Sequence, residues 1–225
     1  MGKILIPTSS PEDWKKFLAE PDKHWKRGYS ARAIANCWQS ANGLPSNVKA
    51  VLTKTAALEQ IKTLFAIPEH QVPLPGGSRP SQNDVWVLAR TPSDLVSIAV
   101  EGKVSEPFGP TIAEWNPQSS PGKERRLRFL CAELGLAYPP PNDIRYQLLH
   151  RTASAIIEAK RFHAKHAIML VHSFSRTDEW FSDYSRFLAE FNITAAVDEI
   201  VSSGEVSDIV LYFAWARGEK QYLDE

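Results

Sequence analysis

Asp84, Glu101 and Lys103 are the residues of this chain whose types and spacing best suit chemistry. They flank or end two apolar, β-branched runs, Val85-Trp-Val-Leu-Ala-Arg90 and Leu95-Val-Ser-Ile-Ala-Val100, which Thr91-Pro-Ser-Asp94 separates. The runs read as strands and the separator as a turn. Pairing Arg90 with Leu95 and counting outward sets Asp84 opposite Glu101, where Cβ atoms approach to about 5 Å. Two carboxylates that close repel unless a cation or a proton lies between them. Lys103 lies two residues past Glu101 and shares its face. A divalent ion on two carboxylates, beside an ammonium, suits the hydrolysis of phosphate esters. The opposing reading is a solvated strand edge, where Glu and Lys are common.

The surrounding segments supply the elements that would position this hairpin. Ser10-Pro-Glu-Asp13 has the residues of a helix start, and a short helix to Ala19 follows. Ser30 caps a second helix that stops at Gly43. Val48, Val51, Leu52, Leu58, Ile61, Leu64 and Phe65 predict a third helix over 47–65, ended by Pro68. Residues 72–83 read as a loop, as does the Pro/Gly/Ser-rich stretch 105–122 directly after Lys103. Helices over 123–134 and 143–162, a buried strand over 166–173, a helix over 178–190 and a closing strand over 209–216 complete the pattern. Gln147, Arg151, Ser154 and Glu158 form a polar stripe on the second of these helices, opposite an apolar face.

Composition narrows the class. The chain has 225 residues, 43% hydrophobic, enough for one sizeable core. No apolar run reaches membrane-spanning length. The opening Met1-Gly-Lys-Ile-Leu-Ile-Pro7 is too short for a signal peptide and lacks the myristoylation pattern. A cytoplasmic protein without membrane partners is expected. Cys37 and Cys131 form no metal pattern and read as buried reduced thiols. Net charge is zero, which argues against a globally basic nucleic-acid binder. Yet residues 119–165 hold nine Lys/Arg against four Asp/Glu, and 177–225 hold three against eleven. This fits either a basic face opposed to an acidic one or ordinary solvated helix surface. Gly102-Lys103 is not a phosphate loop, and no dinucleotide fingerprint or Gly-x-Ser-x-Gly elbow is present. His24-Trp-Lys-Arg-Gly-Tyr29 mixes base and aromatic, a pattern for phosphate contact and stacking or simply for core packing.

The order helix, antiparallel strands bearing Asp and then Glu-x-Lys, helix, strand over residues 47–174 resembles the PD-(D/E)XK nuclease superfamily. The matching residues are Pro80-Ser-Gln-Asn-Asp84 and Glu101-Gly-Lys103, with Pro80 four residues before Asp84 rather than beside it. His24-Trp-Lys-Arg-Gly-Tyr-Ser-Ala31 resembles a segment of uncharacterised bacterial proteins, which points to a bacterial branch. The resemblance implies an α/β, restriction-endonuclease-like domain over 47–225, a mixed sheet flanked by helices, after a helical extension over 1–46. It implies Mg²⁺, with Mn²⁺ as substitute, on Asp84, Glu101 and the Gly102 carbonyl. Lys103 would then orient or deprotonate the attacking water, and Gln147 and Arg151 would reach the scissile phosphate. Gln82 is a further phosphate contact or a turn residue, and Glu59 a further acid or a solvated helix charge. The expected function is hydrolysis of phosphodiesters in nucleic acid, DNA before RNA. The alternative is a catalytically silent domain of the same fold that binds nucleic acid or protein. Self-association is open.

Overall fold

The computed structural model describes Ile4 and residues 8–224, so most of the opening segment read for targeting lies outside the described residues. The strands are β1 (Lys62–Val72), β2 (Ser81–Arg90), β3 (Leu95–Lys103), β4 (His166–Ser173), β5 (Glu199–Val206) and β6 (Ile209–Arg217). The helices are α1 (Pro21–His24), α2 (Ser30–Ala41), α3 (Ser46–Leu52), α4 (Ile112–Trp115), α5 (Pro121–Leu134), α6 (Tyr146–Arg161), α7 (Phe181–Leu188) and α8 (Gln221–Asp224), with short 3₁₀ turns between them.

The six strands form one mixed sheet in the order β1-β2-β3-β4-β6-β5. β1 pairs antiparallel with β2 and β2 with β3, β3 pairs parallel with β4 and β4 with β6, and β5 returns antiparallel to β6 at the far edge. Helices cover both faces. Ile34, Trp38, Val48 and Leu52 of α2 and α3 pack against Val85, Ile98, Ile168 and Ala214 on one face. Leu130, Leu149, Ile156 and Phe187 of α5, α6 and α7 pack against Ala99, Met169, Phe213 and Trp215 on the other. Burying each such side chain contributes about 1.5–3 kcal/mol. Burial on both faces explains why β4 is an uninterrupted apolar run. No helix among the described residues is long and apolar enough to cross a membrane.

The hairpin follows the expected register, with Arg90 paired to Leu95 and Val85 to Val100. Its turn is locked by Thr91 N–H to the Asp94 carbonyl (2.8 Å) and Asp94 N–H to Thr91 Oγ1 (3.1 Å). Both cysteines are buried and no disulfide joins them. The expected helix over 47–65 is corrected. The helix ends at Leu52, a 3₁₀ turn spans Ala56–Leu58, and the chain then enters β1. Pro68 does not end a helix; it sits inside β1, opposite Val85. β1 is an edge strand, where a residue without an N–H is tolerated. The expected loop at 72–83 closes sooner, because β2 already begins at Ser81.

Candidate functional site

Glu101, Lys103, Asp84, Gln82, Gln147 and Arg151 all line one cavity of about 360 Å³ at the end of the sheet. β3 ends there parallel to β4, and the carboxyl ends of parallel strands are where open α/β sheets place ligands. β2 and β3 bring Asp84 and Glu101 side by side through the hairpin register. α6 crosses behind them and lowers Gln147 and Arg151 onto the same point.

Glu101 is 2% exposed, Lys103 4% and Arg151 7%. Lys103 Nζ donates to Glu101 Oε1 at 2.6 Å, and Arg151 Nε to Glu101 Oε2 at 2.5 Å. Burial alone would raise the Glu101 pKa, but Lys103 and Arg151 outweigh it and hold the carboxyl below its usual range. Lys103 also donates to Gln147 Oε1 at 3.3 Å and lies 4.8 Å above the Phe108 ring. Arg151 Nη1 donates to Ser81 Oγ at 3.1 Å, and Ser81 in turn meets His150 Nδ1 at 2.8 Å. Burial and the neighbouring Arg151 charge keep His150 well below the usual imidazole range, so this ring is neutral at pH 7. Arg151 Nη2 has no hydrogen-bond partner among the described residues.

Asp84 Oδ2 accepts the Gly102 N–H at 2.7 Å. Burial and the Glu101 charge push the Asp84 pKa up to about 7. A third carboxylate joins them. Continuing the register Pro68–Val85 and His70–Asn83 sets Glu69 of β1 opposite Asp84. Glu69 therefore extends a row of acids with one member on each of three adjacent strands. Its φ of +52° is rare for a residue with a Cβ and marks a backbone held by its surroundings. Gln82 Nε2 donates to Glu69 Oε2 at 2.7 Å. Burial and Asp84 raise the Glu69 pKa well above the carboxylate range. Glu69 was not legible in the sequence, because Leu64 and Phe65 continue a helical spacing that hides β1.

The N-terminal segment closes the cavity. Leu18, Ala19 and His24 line it from one side, with Ser30 and Ala31 at the start of α2. Glu106 fixes that wall. Its carboxylate accepts the Ser30 N–H at 2.8 Å, the Ser30 hydroxyl at 3.1 Å and the Val104 N–H at 3.1 Å. Gly102 is where α2 meets β3, since a Cβ there would lie 2.5 Å from Ile34 Cγ1.

Other sequence candidates fall elsewhere. Glu59 is exposed beyond α3 and does not join the acids. Arg126 belongs to the basic stretch but is buried. Its guanidinium donates to the carbonyls of Leu74, Pro75 and Gly77, so it ties a loop and offers nothing to a ligand. Lys123 Nζ bonds the Trp115 carbonyl.

Among the described residues, no three His, Cys, Asp or Glu side chains are arranged as a ready-made metal cage. Mg²⁺ does not require one, because it binds through one or two carboxylates and keeps several waters. Asp84 and Glu69 are the adjacent carboxyls whose pKa values are raised, whereas Glu101 is held low by its two cations, so among the expected ligands it is Asp84 whose charge a hard divalent cation would relieve. The family described as a domain of unknown function (DUF6946) matches residues 7–220. No match is found among curated proteins or among solved structures.

Proposed function

We propose that the chain, which belongs to the DUF6946 family, is a Mg²⁺-dependent nuclease on a restriction-endonuclease-like core, with DNA as its first substrate. The observation that carries the reading is the meeting of Asp84, Glu101 and Lys103 in one cavity, with Lys103 Nζ 2.6 Å from Glu101. The succession of β1, β2, β3, α6 and β4, with Asp on β2 and Glu-x-Lys closing β3, supports the superfamily assignment. Asp84, Glu101 and the Gly102 carbonyl would hold Mg²⁺, or Mn²⁺ in its place. When bound, the ion would polarise a phosphoryl oxygen and lower the pKa of a coordinated water.

The chain's own groups divide the remaining work. Glu101 keeps Lys103 in place, and Gln147 fixes the ammonium from the other side. The Lys103 ammonium orients the attacking water and offsets charge that builds on the phosphate. Arg151 offers Nη2 to a phosphate oxygen while its other nitrogens stay on Glu101 and Ser81. Gln82 holds Glu69 and borders the same space.

The test is hydrolysis of labelled DNA and RNA in Mg²⁺ or Mn²⁺, with EDTA as the stop. Asp84→Asn and Lys103→Met are each expected to cut the rate by about a hundredfold or more, as when a charge-stabilising group is lost. If wild type and both variants behave alike, the catalytic reading is lost. A second reading, a silent domain that only binds, is favoured by one observation. Both oxygens of Glu101 already carry a cationic partner. Nucleic-acid binding without hydrolysis in either ion would select it.

A further inference from the structure

The superfamily resemblance puts the cation on Asp84, Glu101 and the Gly102 carbonyl, but the hydrogen bonds divide the three acids of the row differently. Glu101 is matched from both sides. Lys103 Nζ holds one of its oxygens and Arg151 Nε the other, and all three side chains are buried. To give an oxygen wholly to a metal ion, Glu101 would have to release a buried cation, and breaking such a pair is strongly destabilising. Asp84 and Glu69 form no ion pair among the described residues; each has only an N–H donor on one oxygen.

The other oxygen of each is free. Asp84 Oδ2 accepts the Gly102 N–H, which leaves Oδ1. Glu69 Oε2 accepts the Gln82 amide, which leaves Oε1. Neither free oxygen has a hydrogen-bond partner among the described residues, yet neither is sealed in the interior. Both residues line the acid cavity. The β1–β2 register sets them opposite each other, with Cβ atoms about 4.5–5.5 Å apart, a separation from which two carboxylates can meet on one ion.

The same cavity holds a second, independent sign of a ligand. Arg151 is 7% exposed and borders the cavity, and its Nη2 has no hydrogen-bond partner among the described residues. A buried guanidinium with a spare donor suits an anion such as a phosphate. Mg²⁺ is usually held by one or two carboxylates, several waters and a substrate phosphate, and Asp84, Glu69 and Arg151 together provide for that set. We propose that Glu69 is the second carboxylate of the cation site. The ion rests on Asp84 Oδ1 and Glu69 Oε1, Gln82 positions Glu69, and Glu101 serves to hold Lys103 and Arg151. That the ligand is a divalent cation rests on the function proposed above; which acids hold it rests on the hydrogen bonds and the strand register.

Mn²⁺ binding to the whole chain, read without substrate from the electron paramagnetic resonance of the free ion, separates the two ligand sets. Glu69→Gln and Asp84→Asn are each expected to raise the Mn²⁺ dissociation constant about tenfold or more, because affinity follows the number of charged ligands. Gln82→Ala changes no charge and only loosens Glu69; it should cost about tenfold, the lower end for a group that orients a metal ligand. Circular dichroism in EDTA shows whether each variant is folded, and Gln82→Ala decides alone if Glu69→Gln is not. Anomalous scattering from a Mn²⁺-soaked crystal should place the ion against the carboxylates of Asp84 and Glu69. Unchanged Mn²⁺ affinity in the deciding variant, no Mn²⁺ binding by wild type, or an ion that bridges Asp84 and Glu101 with Glu69 clear of it would overturn the proposal. Mn²⁺ on Asp84 and Glu69 without hydrolysis of DNA or RNA would keep this site and end the nuclease reading. Hydrolysis by a Glu69→Gln variant of wild-type Mn²⁺ affinity would do the reverse.

Discussion

Each oxygen of Glu101 meets a cation inside the protein, and this decides which substitutions inform on chemistry. Removing one partner of a buried charge pair costs about 3–5 kcal/mol, because the other charge is left uncompensated. Glu101→Ala would strand both Lys103 and Arg151 and act first on folding. Asp84 is the cleaner position. Its pKa is raised from the usual 3.8 to about 7, by burial and then by Glu101. The folded protein therefore binds a proton more tightly than the unfolded chain does. Stability from this group is fully present below about pH 3.8 and is lost as pH rises through about 7. Asn keeps an oxygen acceptor for the Gly102 N–H and carries no charge. Without metal, Asp84→Asn should melt higher than wild type at pH 8, by about 2–4 °C for each kcal/mol relieved, and the gap should close towards pH 4. Thermal melts in EDTA across that range check it. A variant that melts lower at pH 8 would make Asp84 a structural cap.

At the scale of elements, α2 and β3 meet at Gly102, and the contact fixes both the cavity wall and the acids. A methyl group there would collide with Ile34 and press within 3.2 Å of Asp84 Oδ2. Gly102→Ala should cost about 1–3 kcal/mol, the scale of overpacking a well-filled core, measured by denaturant unfolding. Wild-type stability would mean that α2 yields there. Legibility in the sequence also divides by element. The register of the β2–β3 hairpin could be read, because turn composition and the two β-branched runs agree. α5 could be read from its end, Gly135 at φ +68°, whereas its start, Ser120 with Pro121, fell inside the stretch 105–122 read as a loop. β1 could not, since Ile61, Leu64 and Phe65 prolong the spacing of Val48, Val51 and Leu52, and Pro68 imitates a terminator. With β1 hidden, Glu69 was hidden too. β5 was missed because Ser202-Ser-Gly-Glu205 has no apolar signal on its outer side. Buried function inside a polar stripe was half visible. Arg151 stood out by position, but the loop-binding role of Arg126 depends on carbonyls distant in sequence.

Across the whole molecule, the basic stretch 119–165 has Arg126 and Arg151 in the interior and Arg125, Arg128, Lys160, Arg161 and Lys165 exposed. A cation that binds only the folded state stabilises it by about 2.7 kcal/mol at a hundred times its dissociation constant. For a chain of this size that is a rise of about 5–11 °C in Tm. Mn²⁺ or Mg²⁺ titrated to saturation should produce such a rise in wild type, much less in Asp84→Asn, and most of it in Lys103→Met. A wild type indifferent to both ions would remove the metal from the proposal. The acid row adds a constraint on how such a chain can change length. Glu69, Asp84 and Glu101 come from three strands, one apiece, and successive residues of a strand face opposite ways. One residue inserted between the 91–94 turn and either Asp84 or Glu101 would rotate that carboxylate out of the cavity. An insertion within the turn itself would leave both where they are. Natural variation in chain length is therefore expected to gather at residues 91–94 and to spare 84–90 and 95–103, a pattern that homologous sequences can be checked against.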